Sequence, residues 1–152
     1  VSALATHPVT APTDLGRAMD QTIAKLTNRS LLVVVSDFYT EPEDVRAALA
    51  RAKHRGHDVI VMQVVDRREE TFDLRDTAPF LGLEGEGKVR IDPRAIRASY
   101  LEAFEKHRKE IVRIVRGFGF DYQLVRTHDW LGPPLAAFVA RRNARLKRAK
   151  SG

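Results

Sequence analysis

Two short apolar runs, separated by one helical segment, constrain this chain most. Leu31-Leu32-Val33-Val34-Val35 and Val59-Ile60-Val61-Met62-Gln63-Val64-Val65 are nearly continuous in apolar character, with no alternation. A strand that is apolar at every position is covered on both faces, which is the condition of strands in parallel sheets. Between the runs, Thr40-Glu41-Pro42-Glu43 reads as a capping box with Pro inside the first turn. Val45, Ala48, Leu49 and Ala52 then share one helical face, and Gly56 supplies a C-terminal cap. Strand, helix and strand in this order form a crossover unit, because parallel neighbours cannot be joined by a tight hairpin.

The rest of the chain extends the same pattern. Residues 1–12 carry two prolines and read as a lead-in segment. Leu15, Ala18, Met19, Ile23 and Leu26 recur at helical spacing, with Thr13 as the expected cap, Asp14 in the first turn and an end near Thr27–Asn28. Residues 66–92 form a charged excursion with Gly82, Gly85 and Gly87, in which Thr71–Leu74 and Lys88–Ile91 are expected to pair as a small hairpin. Asp92-Pro93 opens the longest helix, whose buried stripe is Ile96, Tyr100, Phe104, Ile111, Ile114 and Val115, ending at Gly117. Phe120–Thr127 is a third, more polar strand, placed at a sheet edge. Pro133-Pro134 opens a last helix with Leu135, Phe138, Val139 and Leu146 inward. This order predicts an α/β fold of three layers, a mostly parallel sheet with helices on both faces.

Charge invites a different idea and then withdraws it. The chain has 26 Lys+Arg against 20 Asp+Glu, a net charge of +6. Arg141, Arg142, Arg145, Lys147, Arg148 and Lys150 fall in one acid-free stretch. Removing those six leaves 20 basic groups against 20 acidic ones, so the body is neutral and the excess belongs to a C-terminal tail. Nucleic-acid binding by this tail competes with a plainer reading, in which cations suit the end of a helix dipole, and the plainer reading is preferred. Zero Cys excludes disulfides, Cys-ligated metals and thiol nucleophiles. No apolar run approaches the roughly 20 residues of a membrane-spanning helix.

Ligands of open α/β sheets bind beyond the carboxyl ends of the strands. Ser36 and Asp37 follow the first strand, Asp66 the second, and Thr127, His128 and Asp129 the third. Thr13 heads the helix that feeds the first strand and belongs to the same edge. A carboxylate such as Asp37, straight after a buried strand, can ligate a hard cation, with a Thr hydroxyl as a second ligand. The plainer reading, preferred on spacing alone, is that it caps or turns the loop that follows it. Asp66 leads into Arg67-Arg68-Glu69-Glu70, which reads as solvated surface, and His128 lacks partners at metal-ligand spacing. Phosphate-binding glycine loops, nucleophile elbows and H-E-x-x-H are absent. Asp37, Asp66 and Asp129 together would be the raw material of a metal-assisted hydrolase.

The run from Ser30 through Leu31–Val35 into Ser36-Asp37-Phe38 resembles the strand-to-loop segment of von Willebrand factor A domains. More specifically, the chain is similar to the C-terminal half of the bacterial domain of unknown function family fifty-eight. Four other stretches carry the likeness: Thr13-Asp14-Leu15; Gly85–Asp92 before a helix with Arg97 and Tyr100; Gly119-Phe120-Asp121-Tyr122; and Thr127 followed by Leu135, Phe138 and Arg141-Arg142. The resemblance covers residues 13–142 as one domain, leaving 143–152 as the basic tail. It implies a non-enzymatic interaction domain working with a MoxR-type AAA+ ATPase or its client. It also implies a cytoplasmic location, in proteins often anchored by upstream membrane helices.

Complete von Willebrand factor A domains bind Mg²⁺ at a metal-ion-dependent adhesion site built from a D-x-S-x-S loop, a Thr and an Asp. By this resemblance Thr13 matches the Thr and Asp37 the Asp. D-x-S-x-S and the first strand of the fold do not occur in the chain, so it is expected to be an N-terminally truncated piece of the domain. Two oxygen ligands on a partial site are expected to hold Mg²⁺ weakly, because Mg²⁺ demands octahedral geometry and dehydrates reluctantly. An unpaired sheet edge, open to a second copy of the chain, is a further expectation.

Overall fold

The computed structural model describes residues 14–73, 79–81, 88–90 and 93–150. The elements are α1 (Leu15–Lys25), β1 (Leu31–Ser36), α2 (Pro42–His54), β2 (Asp58–Val65), α3 (Arg67–Thr71), β3 (Pro79–Leu81), β4 (Lys88–Arg90), α4 (Pro93–Gly117), β5 (Asp121–Arg126) and α5 (Gly132–Lys150). Strands β1, β2 and β5 form a parallel sheet in the order β1-β2-β5, so the polar third strand does lie at an edge. Strands β3 and β4 pair antiparallel as a separate ribbon. The result is a mixed, Rossmann-like α/β fold, as the alternation of elements requires.

Register assigns the faces. Val33 is opposite Ile60 and Ile60 opposite Asp121, while Val34 is opposite Val61 and Val61 opposite Tyr122. Since side chains alternate along each strand, the Val34–Val61–Tyr122 row faces one layer and the Val33–Ile60–Asp121 row the other. The first layer is the core: Met19 and Ile23 of α1, Val45, Leu49 and Ala52 of α2, and Ile111, Ile114 and Val115 of α4 pack on Val59 and Val61. On the opposite face α5 buries Phe138, and Arg142 donates to both Asp58 and Asp121, the first residues of β2 and β5. Helix α5 therefore covers β2 and β5. It leaves Leu31, Val33 and Val35 of β1 exposed by 51%, 52% and 61%. The expectation that β1 is covered on both faces is corrected among the described residues: it is an edge strand buried on one face.

Several local expectations shift for physical reasons. Helix α1 is capped by Asp14, whose Oδ1 accepts from the Arg17 N–H at 2.8 Å; Thr13 lies outside the described residues. Helix α2 begins at Pro42 with Glu41 as N-cap and no side-chain capping bond, so Thr40 does not close a capping box. A residue before proline is pushed to extended backbone, and that requirement moves the cap from Thr40 to Glu41. Gly56 follows α2 at φ +75°, as a C-terminal cap demands. The ribbon pairs 79–81 with 88–90 and leaves out Thr71, which ends α3; Leu74 lies outside the described residues. Val139 is 52% exposed, not inward: Phe138 and Arg142, one helical turn apart, occupy the covered face of α5. The side chain of Leu146 lies outside the described residues. The stretch 143–150, read as a tail, continues α5 as helix.

Candidate functional site

The carboxyl ends of β1, β2 and β5 bring the sequence candidates to one edge of the sheet. The loop after β1 is the most constrained part of it. Asp37 is exposed, and its Oδ1 accepts from the Tyr39 N–H at 3.2 Å and from the Ser36 hydroxyl at 3.3 Å. Ser36 Oγ accepts from the Phe38 N–H at 3.0 Å. These are the short side-chain-to-backbone bonds by which Asp and Ser turn a chain. Asp37 Oδ2 has no hydrogen bond among the described residues.

Phe38 makes this turn unusual. Its φ is +60° and it is 1% exposed. A bulky L-residue in the left-handed region costs about 1 kcal/mol or more, so the surroundings must hold it there. Burial of the ring in the core does part of this. A polar scaffold does the rest. Gln63, 2% exposed in the middle of β2, donates from Nε2 to the Asp37 carbonyl at 3.0 Å. Its Oε1 accepts from the Tyr122 hydroxyl of β5 at 2.8 Å. Burial pushes the Tyr122 phenol up, keeping it protonated and able to donate. His107 of α4 sits with Nε2 2.9 Å from the Phe38 carbonyl, a contact in which the ring must donate. Gln63, Tyr122 and His107 were not among the sequence candidates. The signal that marks Gln63 is its place as the lone polar residue in an apolar run. Nothing local marks its partners.

Aromatic groups flank the loop. Tyr39 Oη lies 3.2 Å from Tyr100 Oη, and Tyr100 packs on Phe72 with ring centroids 4.3 Å apart. Partial burial, then the Tyr100 hydrogen bond, hold the Tyr39 phenol well above its ordinary range. Phe72, at φ +45°, is a second left-handed phenylalanine near this edge.

The other candidates serve the scaffold. Asp66 is the N-cap of α3 and completes a capping box with Glu69, more than the solvated surface residue the sequence suggests. The Arg68 N–H, at 2.9 Å from Oδ1, and the Thr127 hydroxyl, at 2.8 Å from Oδ2, hold its carboxyl below the usual range. Thus the structure joins Asp66 to Thr127 across β2 and β5. Asp129 lies 3.7 Å from His128. Asp37, Asp66 and Asp129 do not converge, and the described residues contain no group of three or more His, Asp or Glu able to hold a metal. Thr13 lies outside the described residues, so its distance from Asp37 plays no part in this geometry.

Comparison with known proteins gives the chain a lineage. Residues 1–110 match the family described as "Protein of unknown function DUF58". Uncharacterized proteins of Mycobacterium bovis and of two strains of Mycobacterium tuberculosis are 31% identical to it over 138 residues. The matched stretch is 88% of this chain and 42% of each relative, so the chain spans less than half the length of these relatives. No solved structure matches it significantly. Among the described residues no helix is long and apolar enough to cross a membrane.

Proposed function

The chain belongs to the DUF58 family of proteins of unknown function, and from that premise we propose that it is part of a von Willebrand factor A-like interaction domain. The domain binds a partner without turnover. The observation that carries this reading is the Ser36–Tyr39 loop. It presents one carboxylate at the end of edge strand β1 on a left-handed turn, with its backbone tied to a buried amide. Backbone strain held in place by its surroundings is a mark of a binding site.

The donor set fits a hard cation in part. Asp37 Oδ2 and the Ser36 hydroxyl are oxygen ligands of the kind Mg²⁺ takes. Thr13 would add a hydroxyl, and the remaining positions need residues of a D-x-S-x-S loop, which this chain lacks. Mg²⁺, when bound, would offer an open position to a carboxylate of the partner. Asp37 anchors that arrangement, while Gln63 and His107 fix the direction of its loop. The partner in this proposal is a MoxR-type AAA+ ATPase or its client.

The test uses a protein that joins this chain to a D-x-S-x-S loop. Capture of the ATPase is measured in Mg²⁺ and in chelator, for the unmodified protein and for Asp37→Ala. The expected result is capture that needs Mg²⁺ and is lost in a folded Asp37→Ala variant. Equal capture by both proteins contradicts the proposal.

A further inference from the structure

The opposite end of the sheet holds a second feature, unconnected with Asp37. A cleft of about 420 Å³ opens where α4 ends, β5 begins and α5 crosses. Its walls include Arg116, Arg141 and Arg142, with Phe120 and Phe138 among its floor. We propose that this cleft is an oxyanion site that takes a phosphate group.

Charge carries the argument. Arg142 is held between two carboxylates, Asp58 and Asp121, the second of which also lines the cleft, and acts as a fixed wall. Arg116 and Arg141 line the same cleft, and Arg141 donates to Gln123 Oε1 at 3.4 Å. A further cation, outside the lining but beside Gly119 and Phe120, comes from α2. Lys53 Nζ lies over the Phe120 ring, 5.4 Å from its centroid, and would be 3.9 Å from a Cβ at Gly119. Cations that converge on one concave surface repel each other and attract a counter-ion. Guanidinium forks match the paired oxygens of phosphate, and a flexible ammonium adds a point charge.

The cleft's shape narrows the ligand class. Phe120 and Phe138 are 4% and 6% exposed, so their faces are closed to a stacking nucleobase. Recognition there is by charge and by N–H donors, which suits a small phosphate more than a single-stranded nucleic acid. Gly119, at φ +75°, makes the tight α4–β5 turn that sets Arg116 beside the start of β5. Part of the +6 charge thus acquires a place: Arg141 belongs to this cleft, Arg116 joins it from the neutral body, and Lys53 lies beside it.

The test is an amide NMR titration with inorganic phosphate, at ionic strength held constant with chloride. Saturable shifts at Gly119 and Phe120 are expected. The paired variant Arg116→Gln, Arg141→Gln should weaken binding at least tenfold. Both side chains are exposed, so the fold should survive, and far-UV circular dichroism checks this. Lys106→Gln, an exposed charge change elsewhere on α4, should leave the affinity unchanged. No saturation, saturation indifferent to the paired variant, or an equal loss in Lys106→Gln overturns the proposal. Duplex DNA that binds with steep salt dependence while phosphate fails to saturate also overturns it, in favour of a general polyanion surface.

Discussion

At the scale of single residues, the molecule's investment is in Gln63. A polar side chain in the centre of an all-parallel sheet is tolerated only if its hydrogen bonds are made, and both ends of this amide are used. Gln63→Leu would leave the Tyr122 hydroxyl and the Asp37 carbonyl without this partner. The expected cost is about 1–3 kcal/mol in urea denaturation. Amide exchange at Phe38 and Tyr39 should accelerate beyond what global destabilisation explains. Asp66 gives a pH prediction with a definite sign. Its folded carboxyl is held below the ordinary value of 3.8, chiefly by the Arg68 N–H and then by Thr127. The stability it adds is therefore complete above 3.8 and is lost as pH falls through the lower, folded value. In thermal melts, the advantage of the unmodified protein over Asp66→Asn should be constant near neutrality and shrink below about pH 3.8. A constant gap across that range would contradict this. Asp37 was legible from its place after an apolar run. Its supports were not, because Gln63, His107 and Tyr122 meet it only through strand register and helix packing, 26 to 85 positions away in sequence.

At the scale of elements, the clearest prediction concerns α5. Its attachment rests on Phe138 and on Arg142, whose side chain is 11% exposed between Asp58 and Asp121. Arg142→Met would leave two neighbouring carboxylates at the start of β2 and β5 with that cation gone. Removing one member of a buried ion-pair group costs about 3–5 kcal/mol; Asp58 is partly exposed here, so the lower end applies. Denaturant titration measures the loss, and amide exchange should show α5 opening first. Long amphipathic segments were the readable elements: α2 and α4 begin and end close to where apolar spacing and proline place them. Short ones were not. The single turn of α3 is held by the Asp66–Glu69 capping box, in a stretch too short for any periodicity to show.

At the scale of the whole molecule, the sheet is half dressed. Helices α1, α2 and α4 close one face, whereas α5 closes only the β2–β5 side of the other. Among the described residues, the bare β1 face and its edge form an apolar, unpaired surface of the kind that recruits another strand or chain. This chain by itself should therefore associate with rising concentration. Val33→Lys with Val35→Lys should suppress that association in sedimentation velocity, since lysine on an edge strand opposes pairing. Identical sedimentation of the two proteins would count against it. Continuous apolarity in β1 correctly announced a parallel strand, and its uncovered face is the face such a strand ordinarily buries.

The central claim is that Asp37 marks a metal-dependent binding edge. The most direct test is paramagnetic broadening of this chain's amide signals by Mn²⁺, a stand-in for Mg²⁺ at oxygen sites. The account predicts weak binding in which Ser36, Asp37, Phe38 and Tyr39 broaden before any other signals, with the effect lost in Asp37→Ala. Broadening that begins at other carboxylates, or that persists unchanged in Asp37→Ala, would contradict it.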